Sequence, residues 1–193
     1  MKFRVMSAGV LVLTAITSMP AAAAENTHRD AKRDVVLQYS DDSDNTITKP
    51  RPLVRTGDIK LIRVTHSTSR LIVRVKFRAA PASATYGFDY RIDTSHHEFE
   101  LVGGTAARPR GKWTLIDHTG KEVQCPGFRH RVNYSQNRVR VSIPRRCLSR
   151  PNKIRVGVLV ETPAKVDGRY RFDWAYSKQA PDLFPYGPWL RHG

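Results

Sequence analysis

Beyond Ala24 the chain has no methionine, no long apolar run and only two cysteines. Without about 20 consecutive apolar residues, the segment after Ala24 has no candidate membrane-spanning helix. No window there repeats its apolar residues every 3.6 positions, which argues against a helical bundle. The two cysteines, Cys125 and Cys147, are too far apart for a Cys-x-x-Cys redox motif. Neither a Gly-x-Ser-x-Gly elbow nor a His-Glu-x-x-His motif is present, so the most legible hydrolase signatures are missing. Acidic residues are also scarce, at 17 against 33 basic ones, for a formal charge of +16. That surplus draws a protein toward polyanions.

What is present begins with a targeting pattern. Lys2 and Arg4 precede an apolar stretch from Val5 to Ile16, then Met19-Pro20 and Ala21-Ala22-Ala23-Ala24. This reads as a secretory signal peptide over residues 1–24, cleaved before Glu25 and with no cysteine there for a lipid anchor. The polar residues 25–33 lack periodicity and read as a flexible mature N-terminus, leaving residues 34–193 as one domain.

That domain alternates. A first short strand is predicted from Asp34 to Tyr39, followed by an acidic loop at residues 40–45 and the extended segment Lys49-Pro50-Arg51-Pro52. Ile59, Leu61 and Val64 then lead to a turn at His66–Ser69, after which Leu71, Val73, Val75 and Phe77 share one face. Further apolar sets follow at Tyr86–Ile92, Phe99–Leu101, Trp113–Leu115, Val139–Ile143, Ile154–Val160 and Tyr170–Tyr176. Nine or ten short strands with one apolar face each predict an all-β, antiparallel two-sheet sandwich of jelly-roll type, with a closed barrel as the alternative.

An even cysteine count in a secreted chain predicts a Cys125–Cys147 disulfide. Pairing Val132 with Val139 and Phe128 with Ile143 builds a hairpin whose partner numbers sum to 271. The cysteines need 272, so a one-residue bulge is expected near Pro126 or Pro144.

Candidate binding groups fall into three sets. Arg70, Arg74, Lys76 and Arg78 lie on the polar side of one strand, and Arg129, Arg131, Arg138 and Arg140 on that of the predicted hairpin. Adjacent strands would join them into an anion-binding plate, a point the sequence leaves open. Tyr186 and Trp189, in a Pro-rich tail, are candidates for stacking on sugar rings, or for closing one end of the sandwich. Asp89, Asp93 and Glu98 offer oxygen ligands of the kind calcium takes, but without EF-hand spacing, and the reading favoured here is a solvated loop and no metal. Nucleic acid is set aside because the basic strands keep their aromatics on the core side.

Short segments carry a family resemblance. Gly57-Asp58-Ile59, Asp93-Thr94 and Val139–Arg145 with its Ile143-Pro144 resemble segments of DOMON-like domains, which look like family-nine carbohydrate-binding modules. Cys125-Pro126-Gly127 and Ile143–Leu148 also resemble segments of small secreted bacterial proteins of unassigned function. The resemblance implies a jelly roll and sugar or haem binding. His96-His97 departs from the family's acidic loop, and Met1, Met6 and Met19 all lie in the signal segment, so no haem or other cofactor is expected.

The expectation is a secreted, non-catalytic module that binds carbohydrate or anionic cell-envelope polymers. A structural or protein-interaction envelope protein is the alternative, and a secreted hydrolase ranks third.

Overall fold

The structure, a computed structural model, describes residues 23–40, 46–105, 111–164, 169–178, 181 and 183–192. Most of the expected signal peptide and of the acidic loop lies outside those residues. Among the described residues, no helix is long and apolar enough to cross a membrane.

The alternating segments become strands because β-branched and aromatic side chains suit a pleated, half-buried surface. In chain order they are β1 (Ala24–Arg29), β2 (Val36–Ser40), β3 (Thr46–Pro50), β4 (Ile59–His66), β5 (Arg70–Phe77), β6 (Gly87–Thr94) and β7 (Glu98–Gly104). They continue with β8 (Trp113–Ile116), β9 (Arg129–Asn133), β10 (Arg138–Pro144), β11 (Lys153–Pro163), β12 (Tyr170–Trp174) and β13 (Leu190–Arg191). One sheet runs β1-β4-β5-β10-β9 and the other β3-β2-β12-β11-β6-β7-β8, with β13 on β11. All strand pairs are antiparallel. The molecule is therefore a two-sheet sandwich. Its core joins Val73, Val75 and Val141 of the first sheet with Tyr90, Ile92 and Val158 of the second. Each fully buried aliphatic side chain contributes about 1.5–3 kcal/mol.

Three strands exceed the sequence expectation: β1, β3 and β13. None carries an apolar stripe, so hydrophobic alternation could not reveal them. β1 falls where a flexible N-terminus is expected, yet it pairs with β4 from Ala24↔His66 to Arg29↔Leu61. Polar links add to the backbone ladder, with Thr65 Oγ1 donating to Glu25 and Arg63 Nε to Thr27 Oγ1.

Leu61 also departs from expectation. The register shifts between Ile59 and Leu61, so Ile59, Ile62 and Val64 are buried while Leu61 faces outward with Arg63. A bulge changes the parity of a strand.

The hairpin register follows the predicted sum, with Val132↔Val139 and His130↔Val141. Cys125 and Cys147 form the disulfide, with Cα atoms 5.5 Å apart. The extra residue is taken up beyond the ladder. Phe128 N–H closes a turn onto Cys125 O, and Arg145–Leu148 forms a 3-10 turn on the other arm.

The C-terminal tail crosses the second sheet. Gly187 N–H donates to Val156 O, and the tail passes over Gly157, where a Cβ would collide with Pro185 O and the Phe184 ring. Gly157→Ala is therefore expected to lift the tail and to destabilise the fold by about 1–3 kcal/mol. Thermal unfolding together with protease cleavage in the tail measures both effects; an unchanged melting temperature would mean that the tail does not pack there.

Candidate functional site

The two arginine-bearing segments are neighbours. β10 pairs with β5 as well as with β9, and the shared register carries one line of residues across the five-stranded sheet: Thr27, Arg63, Arg74, Arg140 and Arg131. The next line is Arg29, Leu61, Lys76, Arg138 and Asn133, and on the other side lies Glu25, Thr65, Ile72, Ser142 and Arg129. These residues alternate with buried Val73, Val75, Val139 and Val141, so the pleat that builds the core also turns the basic side chains to the outer face.

Four guanidinium groups thus stand on four consecutive strands. At about 4.8 Å per strand the row spans roughly 14 Å. Like charges directly opposite one another destabilise a sheet. Burial lowers the Arg74 pKa, and Arg140, Arg63 and Arg138 push it in the same direction. Counter-charge is thin, since Glu25 is the acidic residue these lines contain, and it pairs with Arg63 at 3.4 Å. A shallow depression of about 380 Å³ lies among Leu61, Arg63, Arg74, Lys76 and Arg138.

Two of the expected anion-binding residues have other work. Arg78 lies beyond the end of β5, is 14 % exposed at its side chain, and binds Asp58 at 2.6 Å and Ala31 O at 2.9 Å. It neutralises a buried acid instead of joining the plate. Arg70 sits at the margin, where its guanidinium donates to Ser142 Oγ, Ser142 O and Gly127 O. Arg74, Lys76, Arg129, Arg131, Arg138 and Arg140 take the predicted face. Sequence reading missed Arg29 and Arg63, the first because β1 lacks an apolar stripe and the second because the bulge hides its parity.

Tyr186 and Trp189 are brought together around a cation. Arg155 lies 4.7 Å from the Tyr186 ring and 4.9 Å from the Trp189 ring, and Lys153 is 4.7 Å from Trp189. The Tyr186 hydroxyl donates to Glu98 Oε2 at 2.9 Å. Cation–π contacts of this kind hold the tail to the sheet, and both rings already have a cation against them. Residues 184–189 lie on the outer face of the second sheet, and beyond them Leu190 packs against the core, its carbonyl accepting from His66 of the first sheet.

Asp89, Asp93 and Glu98 do not converge on a common point. Asp89 and Glu98 pair with Arg91, and Asp93 receives Arg155 through both Nε and Nη2. Burial nevertheless raises the Asp89 pKa to about 6.

Beside the disulfide, a cavity of about 460 Å³ is lined by His97, Asp117, His118, Arg146 and Ser149. It contains the residue types of a nucleophilic triad, but no hydrogen bond links Ser149 to an imidazole or an imidazole to Asp117. The imidazoles of His97 and His118 stack at 4.2 Å, while Asp117 accepts from Thr119 and from Lys121 N–H, and its pKa is lowered by these bonds. Asp117 anchors a turn and orients no base.

Fold and surface together define a disulfide-bonded β-sandwich with one strongly cationic sheet face. No protein-family model matches the chain, no curated protein matches it, and no solved structure matches it.

Proposed function

We propose that this is a secreted, non-catalytic binding module whose five-stranded sheet face holds a linear anionic polymer of the cell envelope, through phosphate, sulfate or carboxylate groups. The observation that carries the reading is the line Arg63, Arg74, Arg140 and Arg131, in register across four strands. Such a line places like charges together at a cost to stability, and an anion bound across it removes that cost. Guanidinium forks suit these groups because they donate two parallel hydrogen bonds. The disulfide is consistent with an extracellular location, and the targeting pattern before Glu25 supports export. The resemblance to carbohydrate-binding modules adds sugar-based polymers to the class, with their charge, rather than ring stacking, as the primary handle.

Binding to long-chain polyphosphate and to a sulfated glycan, measured against a neutral glucan, tests this reading. Affinity is expected to fall with salt, with a log–log slope of about −3 if four arginines displace counterions. Equal binding to the neutral glucan, or no binding to either polyanion at low salt, would defeat it.

A further inference from the structure

A further concentration of charge among the described residues is acidic and buried. Asp30 follows β1, Asp34 precedes β2, and Asp173 lies on β12, so the three come from both sheets. One carboxylate oxygen from each lies within 4.8 Å of the others. Asp173 is only 2 % exposed and Asp30 8 %.

The hydrogen bonding is one-sided. Asp173 Oδ2 accepts from Ile59 N–H across the sheets, while its Oδ1 has no partner. Backbone N–H groups of Ala31 and Tyr176 hold Asp30, whose Oδ1 has His28 Nε2 at 3.7 Å and whose Oδ2 has no partner, and Asp34 has only its own backbone N–H. The Arg78 guanidinium acts on Asp34 only through its charge, since its bonds go to Asp58 and Ala31 O. Buried carboxylates this close cannot all stay ionised by themselves: they either take up protons or gather a cation.

We propose that Asp30, Asp34 and Asp173 form a calcium site that ties the edge strand β1 to the second sheet. The donors are all hard oxygens. Ca–O distances of about 2.3–2.6 Å allow oxygens on opposite sides of the ion to stand about 4.6–5.2 Å apart, whereas Mg–O distances of about 2.0–2.1 Å require a tighter group. The site explains how β1, with no apolar stripe, is anchored where it ends. It is independent of the cationic face, and either can fail without the other.

The test uses the whole mature protein after dialysis against a chelator. Calcium is expected to bind one to one by calorimetry, and at a hundredfold excess over Kd to raise the melting temperature by about 5–10 °C. Magnesium is expected to shift it much less. Terbium, a calcium substitute, is expected to give aromatic-sensitised luminescence that calcium quenches, since Tyr176 adjoins Asp30. Asp34→Asn, at the half-buried member of the set, should fold and lose at least about tenfold in calcium affinity; Asp173→Asn is the second variant. No heat, no thermal shift and no terbium signal from the wild-type protein at millimolar calcium would overturn the proposal. So would a calcium shift that survives Asp34→Asn undiminished.

Discussion

Replacing Arg140 with glutamate is expected to stabilise the protein by about 1 kcal/mol while weakening its binding to polyphosphate by at least about tenfold. Arg140 stands directly between Arg74 and Arg131, so the change turns two like-charge cross-strand pairs into two opposite-charge pairs. Each such pair is worth about 0.2–1 kcal/mol, and the Arg140 side chain is exposed, so no packing is lost. Binding moves the other way, because two units of charge are removed from the middle of the row. A substitution that raises stability and lowers binding marks a surface kept for its ligand. Chemical denaturation and a polyphosphate titration of the same preparation read both quantities. If binding were unchanged, the row would be a solubilising surface and no site.

The second large effect belongs to the disulfide. The double substitution Cys125→Ser, Cys147→Ser is expected to cost about 3 kcal/mol, from the loop closed by a sequence separation of 22. β9 is an edge strand paired only with β10, and its inward residues His130 and Val132 are only half-buried. The bridge fixes the open end of this hairpin, next to the point where the ladder stops at Arg129↔Ser142. Without it, β9 is expected to fray first, taking Arg129 and Arg131 out of the plate. The denaturation midpoint should fall, with a modest rise in slope because the uncrosslinked unfolded chain exposes more surface. Amide exchange should rise in β9 before β10. A variant as stable as the wild type would mean that the core alone holds this edge.

A smaller expectation concerns pH. In a chelating buffer, burial and mutual repulsion raise the pKa of Asp30 to about 8 and that of Asp173 to about 9. Because these folded-state values lie above the ordinary aspartate range, their contribution is fully present near pH 4 and is lost as the pH rises toward 9. Stability measured in chelator should decline across that window; a flat profile would show that the two acids titrate normally.

The strands that build the core were legible because each pairs an apolar face with a polar one, and a period of two survives without tertiary knowledge. The β9–β10 register was legible for the same reason, since only one alignment puts Val132 against Val139. β1 was not legible, because its support comes from β4 and from polar links and not from its own pattern. The parity of Arg63 was hidden by a bulge that no turn residue announces. The adjacency of β5 and β10 depends on the whole topology, as the two are distant in sequence. The buried acids are scattered across both ends of the chain, and Asp30 lies in a segment that reads as solvated. Conversely, Asp89, Asp93 and Glu98 are close in sequence and Asp93 stands opposite Glu98, but each is taken up by an arginine, which no spacing rule announces.

The central claim is that the row Arg63, Arg74, Arg140 and Arg131 is where the polyanion lies. The most direct measurement follows the arginine Nε–H signals by NMR as polyphosphate is added at low salt. The largest shifts are expected from these four side chains, with little change at Arg155 and Arg91 on the opposite sheet. Shifts spread evenly over all the arginines, or concentrated on the tail face, would contradict the account.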